Sequence, residues 1–171
     1  MSRETDYAEM MPDKIKGNGV LNEWLRKNGF FTAPASTKYH GAYEGGLFDH
    51  SYAVANELVN LTNKLGLKWE RTESPYIVGM FHDLCKVDRY WHNGEGYEYL
   101  KDTLLDGHGA KSVMMLASLM QLTEEEVMCI RYHMGAYEKD DWAGYDLAIK
   151  KYPNVLWTHT ADMVASKIVG C

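Results

Sequence analysis

The chain has 171 residues, 46% of them hydrophobic, which is enough for a single domain with a sizeable core. Its net charge of −6 argues against a protein that holds long duplex nucleic acid through many phosphate contacts, because such proteins are usually basic. The sequence has neither a run of ~18 apolar residues nor an apolar signal core at its start, so it predicts a cytoplasmic protein without a membrane span.

The first third of the chain is predicted to be helical, with one long loop. Residues 1–17 are polar and indicate an N-terminal arm or a short helix. A helix is predicted over 20–27, where an Asn-Gly pair stops it. The prolines and glycines of 30–46 are typical of a long ordered loop. An amphipathic helix over 48–65 follows, and a glycine ends it.

The rest of the chain is predicted to contain further helices and one hairpin. Ser74 and Pro75 predict an N-cap followed by proline in the first turn of a helix. Aromatic residues on both sides of a glycine-rich turn predict a β-hairpin near residues 88–100. Later helices are predicted at about 109–120, 124–133, 141–151 and 154–169. The sequence therefore predicts an all-α fold with one small β-hairpin, in one domain over residues 1–171.

Six side chains of metal-ligand type fall in or beside these helices: His50, His82, Asp83, His108, His133 and Asp162. Successive sites are 32, 25, 25 and 29 residues apart, about the length over which one helix ends and the next returns. Taken singly, each residue has an ordinary structural explanation. However, Asp83 and Asp162 interrupt apolar stretches, where a carboxylate is costly to bury without a cation or a metal. A shared divalent ion explains the set, because imidazole and carboxylate bind Mn, Fe, Ni, Co and Zn.

The order H…HD…H…H…D resembles the HD-domain superfamily of metal-dependent phosphohydrolases over about residues 30–170. The resemblance implies an HD-domain helical bundle with a four-ligand metal site at His50, His82, Asp83 and Asp162. It also implies that His108 and His133 match the extra histidines of members with two ions, which Asp83 would bridge. One or two divalent transition ions are therefore expected, of Mn, Fe, Ni, Co or Zn.

Two further residues are assigned roles by resemblance. Lys86 lies three residues after Asp83 and matches the lysine that contacts substrate phosphate in the His-Asp-x-x-Lys subset of the family. Asp83 and Lys86 are thus the expected catalytic residues. Residues 33–47 resemble the lead-in of HD domains in certain bacterial 3′-to-5′ exoribonucleases, which implies that His40 contacts substrate or a metal-bound water. A loop histidine satisfied within the protein is the alternative for His40. The OB-type module of those enzymes has no counterpart in this sequence.

The function implied by the resemblance is that of a metal-dependent phosphohydrolase. It would cleave a phosphomonoester or phosphodiester bond of a nucleotide or of a short oligonucleotide end. The acidic charge favours a small phosphorylated substrate over long duplex nucleic acid. One alternative is a non-catalytic HD module that binds a nucleotide for regulation, and a minor one is a di-iron oxygenase on the same scaffold. The substrate, the metal and the oligomeric state are left open.

Other candidate residues are the cysteines and the aromatic residues of the hairpin. The three cysteines are odd in number and widely spaced, which indicates free thiols; a thiol ligand at Cys85 is the minor alternative. The hairpin carries four aromatic residues that could stack a nucleobase, although such residues more often pack a core: Tyr90, Trp91, Tyr97 and Tyr99. His92 and His159 receive no functional role.

Overall fold

The computed structural model of the protein describes residues 2–100, 107–135 and 141–171. Within these ranges the chain is mostly helical, and its β-structure is one two-stranded antiparallel hairpin. The predicted all-α fold with a small hairpin is therefore confirmed. None of the described helices has the apolar stretch that a bilayer-spanning segment requires.

The elements follow one another along the chain, with a long loop over residues 28–45 between α3 and α4. The helices are α1 (Arg3–Met10), α2 (Asp13–Lys16), α3 (Gly19–Lys27), α4 (Gly46–Leu65), α5 (Ser74–Phe81), α6 (His108–Ala117), α7 (Glu124–Arg131), α8 (Trp142–Lys151) and α9 (Asn154–Val164). A 3₁₀ turn (Leu84–Asp88) follows α5, and a π-helical turn (Ala165–Val169) continues α9. The hairpin strands β1 (Tyr90–His92) and β2 (Tyr97–Tyr99) lie within the predicted 88–100 segment.

The N-terminal segment, predicted as an arm or a short helix, lies against the core as α1 and α2. Ser2 caps α1 by accepting a hydrogen bond from the main-chain N–H of Thr5. Tyr7, Met11 and Ile15 are buried, which removes their apolar surface from water. The segment is therefore part of the packed structure.

The crossing of α4 and α5 depends on Gly79. A Cβ built on Gly79 would lie only 2.4 Å from Cα of Ala55, so the two helix backbones approach more closely than any side chain allows. His50 lies in the first turns of α4, and His82 follows the last residue of α5. The close crossing therefore sets how near these two histidines come.

The start of α5 differs from the prediction that Ser74 is its N-cap. Ser74 is the first helical residue, and Glu73 precedes it as the cap without a side-chain hydrogen bond. The hydroxyl of Ser74 instead donates to Oε1 of the buried Glu126 at 2.8 Å. Arg71 donates to both oxygens of the same carboxylate, at 2.7 and 2.6 Å. The hydroxyl of Ser74, which the local sequence predicts to cap α5, thus bonds a buried carboxylate on α7 instead.

The same carboxylate fixes the start of α7. Thr123 and Glu126 form a reciprocal capping box, in which each side chain bonds the main-chain N–H of the other residue. The side chain of Asn154, at the start of α9, donates to the neighbouring Glu125 at 2.8 Å. These bonds join α7 to α9 and to the segment before α5.

Candidate metal centre

The six predicted ligand side chains converge from five helices or from the turns that follow them. His50 lies on α4, His108 is the first residue of α6, and Asp162 lies on α9. His82 and Asp83 follow α5, and His133 follows α7. Residues that are more than a hundred positions apart in sequence therefore meet in one place.

Asp83 lies at the middle of this group, and its two oxygens face different histidines. Oδ2 is 3.8 Å from Nε2 of His50 and 3.5 Å from Nε2 of His82. Oδ1 is 3.5 Å from Nε2 of His133 and 4.0 Å from Nδ1 of His108. A carboxylate with ligand nitrogens on both sides has the arrangement of a bridging ligand.

Asp162 adds a second carboxylate next to His50. Its Oδ1 lies 3.2 Å from Nε2 of His50, and that nitrogen is 3.3 Å from Nε2 of His82. Burial alone would raise the pKa of Asp162, but the neighbouring imidazoles, that of His50 first, hold the pKa below its usual value. Asp162 is therefore an anion within the cluster.

Three of the histidines are oriented by main-chain oxygen atoms. The Nδ1 atoms of His50, His82 and His133 each lie within hydrogen-bond distance of one such oxygen. The acceptors are Cys171, Gly79 and Ile130, at 2.9, 2.9 and 2.7 Å respectively. Because these main-chain oxygens only accept, each Nδ1 carries the hydrogen, and in a neutral ring Nε2 is left with a lone pair. The three Nε2 atoms that carry these lone pairs all face the cluster. Histidines that bind metals have the same arrangement, with one ring nitrogen held by a hydrogen bond and the other on the metal.

Two atoms at the centre are buried without a hydrogen-bond partner. Within the described ranges they are Oδ1 of Asp83 and Nε2 of His133, and they are 3.5 Å apart. Both are acceptors in the tautomers given above, and buried acceptors without a donor cost free energy. A cation between them would satisfy both atoms. The donor set of imidazole nitrogens and carboxylate oxygens fits a divalent transition ion.

Among the described residues, three sets of ligand-type atoms are compact enough to hold an ion, each with its atoms within 4.8 Å of one another. The first is formed by His50, His82 and Asp83, and the second by His82, His133 and Asp162. The third set lies beside the other oxygen of Asp83 and joins that residue to His108 and to the buried thiol of Cys85. The structure thus provides donor sets for one ion or for two.

Lys86 places a buried cation beside the centre. Its Nζ is 2.7 Å from Oδ2 of Asp83, and only 8% of the residue is exposed. Burial alone would lower the pKa of Lys86, but Asp83 outweighs burial and leaves the pKa raised. Burial alone would raise the pKa of Asp83, yet the ammonium of Lys86 holds that pKa well below its usual value. Both side chains are therefore charged.

A cavity of about 240 Å³ reaches this cluster. Its polar and aromatic lining includes Ser36, His40, Asp83, Lys86, Tyr90, Tyr99, His108, His159, Asp162, Ser166 and Lys167. The imidazole of His40 lies 4.9 Å from that of His50, measured between ring centroids. Burial, together with the nearby His50 and Lys86, lowers the pKa of His40 to about 4, so this ring is neutral. The structure thus brings His40 to the cavity, and its contact with substrate stays a prediction.

His159 and Lys167 also line the cavity, although no role was predicted for either of them. Nδ1 of His159 donates to the carbonyl oxygen of His133 at 2.8 Å. The available signal is helical spacing: positions 159, 162, 163, 166 and 167 share one face of a helix, and position 162 is the predicted aspartate ligand. Helical spacing from that aspartate would have identified His159, three residues before it, whereas Lys167 is five residues after it and outside that pattern.

The hairpin contributes two of its four aromatic side chains to the cavity. Tyr90 and Tyr99 pair across the strands, their ring centroids are 5.2 Å apart, and both line the cavity. Tyr97 lies farther along and packs against His92, with ring centroids 5.0 Å apart. Trp91 occupies the opposite face of the strand and is 46% exposed. The aromatic surface that the hairpin presents to the cavity therefore consists of Tyr90 and Tyr99.

No protein-family model, no curated protein and no solved structure matches this chain. The likeness to the HD domain is therefore carried by the residues and their order. The helical fold and the buried His/Asp cluster that could hold a metal are compatible with that likeness.

Proposed function

We propose that this protein is a metal-dependent phosphohydrolase of the HD type that cleaves a phosphoester bond of a small phosphorylated molecule such as a nucleotide. One observation carries the proposal. Asp83 has ligand nitrogens next to both of its oxygens, and the buried ammonium of Lys86 is paired with it in the same cavity. Metal ligands beside a fixed cation suit chemistry on a phosphate group.

The residues that would hold a first ion are His50, His82, Asp83 and Asp162. His108 and His133 face the other oxygen of Asp83 and would hold a second ion. A ligand set rich in imidazole favours a transition ion over Mg²⁺ or Ca²⁺, which prefer oxygen ligands. Such an ion supplies Lewis acidity and an activated water at neutral pH.

Lys86 would neutralise charge on the phosphate. Its pairing with Asp83 keeps the ammonium protonated and fixes its place at the cavity wall. A preorganised cation stabilises the negative charge that develops on phosphate oxygens in the transition state more than it stabilises the bound substrate. We therefore assign Lys86 a catalytic role, with an effect mainly on kcat.

The size and charge of the cavity support a small substrate. Its volume of about 240 Å³ lies just below the range of roughly 300–1,000 Å³ that is common for small-molecule sites. Lys86 and Lys167 provide positive charge, and Tyr90 and Tyr99 provide aromatic surface for a ring. A nucleotide or the last residue of a short strand matches these features. A long duplex would require a more extensive basic surface than an overall charge of −6 suggests.

The test is a screen of the purified protein loaded with Mn²⁺, Ni²⁺, Co²⁺ or Zn²⁺. Substrates are mononucleotides, deoxynucleoside triphosphates, cyclic dinucleotides and short RNA, and product release is measured. We expect hydrolysis of at least one class, strongly reduced in Lys86→Gln and unchanged in the surface control Lys64→Gln. Nucleotide binding without turnover under every ion would instead favour a regulatory module. Oxygen consumption by the iron-loaded protein would favour an oxygenase.

A further inference from the structure

Cys85 lies at the candidate metal centre, next to the oxygen of Asp83 that has no hydrogen-bond partner among the described residues. Sγ of Cys85 is 3.6 Å from Nδ1 of His108, and that nitrogen is 4.0 Å from Oδ1 of Asp83. Oδ1 is buried and accepts no hydrogen bond within the described part of the chain, which independently indicates that a cation belongs there. Cys85 itself is 2% exposed, so the thiol is directed into the protein.

We propose that Cys85 is a metal ligand and that, with Oδ1 of Asp83 and Nδ1 of His108, it forms a thiolate-containing site for a second ion. The inference rests on the metal centre of the proposed function. A thiolate is a soft ligand, so this site selects Zn²⁺, Co²⁺ or Fe²⁺ over Mn²⁺ and Mg²⁺. The two sides of Asp83 would then differ in the ions that they prefer.

The distances between the ligand atoms match such a site. Bonds of about 2.3 Å to sulfur and about 2.0–2.1 Å to nitrogen, meeting at the tetrahedral angle, place the two ligand atoms about 3.6 Å apart. The separation between Cys85 and His108 is 3.6 Å. The 4.0 Å between His108 and Asp83 is wider than two such bonds require, so the carboxylate would turn towards the ion by several tenths of an ångström.

The main chain of Cys85 is fixed by its neighbours, and this positions the thiol. Asp83 directly precedes the 3₁₀ turn that contains Cys85, so the two donors are separated by one residue. The main-chain N–H of Cys85 donates to the hydroxyl of Ser112 at 3.1 Å, and Ser112 lies on α6, the helix that begins with His108. One helix thus positions both the histidine and the cysteine, as supporting hydrogen bonds do for metal ligands.

Binding at this site has a defined proton balance. The thiol loses its proton to solvent, a sulfur–metal bond forms, and no oxidation takes place. Without an ion, the same contact is a weak hydrogen bond from the thiol to Nδ1 of His108. The two cases differ in whether a sulfur–metal bond exists, which absorption spectroscopy detects directly.

The experiment is a titration of metal-free protein with Co²⁺, followed by absorption from the near ultraviolet to the visible. We expect a thiolate-to-cobalt charge-transfer band in the wild type, which binds two equivalents of cobalt. Cys85→Ser should lose this band and should bind one equivalent of cobalt. Cys129→Ala and Cys171→Ala are matched controls that should keep the band, since neither thiol belongs to the ligand set.

Each other outcome has a defined meaning. Visible cobalt bands without a charge-transfer band, or a band that persists in Cys85→Ser, would overturn the thiolate ligand and leave the metal centre intact. Absence of bound cobalt in the wild type would overturn both proposals. If Cys85→Ser does not fold, the Cys129→Ala/Cys171→Ala double variant decides, because Cys85 is then its only cysteine. A band in that variant supports the proposal, and its absence overturns it.

Discussion

At the residue scale, Asp83 joins every part of the candidate centre. One oxygen pairs with Lys86 and lies near His82, and the other faces His133. The residue is almost fully buried, so these neighbours replace the water that would otherwise solvate a carboxylate. A change at Asp83 therefore affects both ion binding and the charge balance of the core.

Asp83→Asn should remove bound metal and hydrolytic activity together, because the amide is a weak ligand without charge. It should also destabilise the metal-free protein by about 3–5 kcal/mol, since Lys86 is left as a buried cation without its partner. Elemental analysis, product release and thermal denaturation measure the three effects. Asp146→Asn, which breaks an exposed ion pair with Lys150, should change stability by less than about 1 kcal/mol. A full complement of metal in Asp83→Asn would contradict the bridging role.

His108→Ala and His133→Ala should each leave about one ion bound, while hydrolysis falls by a factor of about 10–100 or more. The reason is that both histidines face the oxygen of Asp83 away from Lys86. The number of ions bound per chain and the steady-state rate of hydrolysis test this prediction. His92→Ala is the control, because His92 packs against Tyr97 on the hairpin. Unchanged stoichiometry and rate in both variants would indicate a single-ion centre.

At the element scale, helix ends and one helix crossing bring the ligands together. Helical periodicity in the sequence predicted most of the helices, because buried faces repeat every three to four residues, and aromatic residues around a glycine-rich turn predicted the position of the hairpin. The capping signal misjudged the start of α5, where Ser74 bonds Glu126 from a distant helix. His108, expected just before a helix, is the first residue of α6. Such ends depend on tertiary partners that local sequence does not contain.

Gly79→Ala should destabilise the protein by about 1–3 kcal/mol or more, because the added methyl would lie 2.4 Å from Cα of Ala55. The helices must separate, which moves His50 from His82 and weakens metal binding as well. Thermal denaturation and metal content at a temperature where the variant is folded test both effects. In Gly19→Ala the added methyl has no atom within 4 Å, so neither quantity should fall. Wild-type metal affinity in Gly79→Ala would show that the crossing does not set the site.

At the scale of the whole molecule, the sequence predicted the cluster of histidines and aspartates better than the cavity around it. The order of the histidines and aspartates indicated one centre, because buried acids need a partner. The cavity lining was only partly foreseen: Tyr90 and Tyr99 reach it, and so do His159 and Lys167. A cavity depends on how α9, the hairpin and the loop before α4 are packed, and no single segment encodes that packing.

The overall charge leads to a prediction about salt. Since few cationic groups line the cavity of an acidic protein, affinity for a nucleotide or short RNA should fall with salt with a log–log slope of only about −1 to −3. Binding measured over a range of salt concentrations gives this slope. A much steeper slope, together with processive degradation of long RNA by this chain alone, would contradict the small substrate and leave the metal chemistry intact.

The ligand arrangement also predicts that the ion stabilises the whole fold. His50 lies on α4, His82 follows α5, His133 follows α7 and Asp162 lies on α9, so one bound ion links elements from across the chain. An ion at 100 times its Kd adds about 2.7 kcal/mol to the free energy of unfolding. For a chain of this size that corresponds to about 5–10 °C in Tm.

Chelation should therefore lower Tm by this amount, and added Co²⁺ or Zn²⁺ should restore it. His82→Ala removes a ligand and should show the same Tm with and without the ion. A Tm of the wild type that does not depend on metal content would mean that these residues hold no ion in the folded protein.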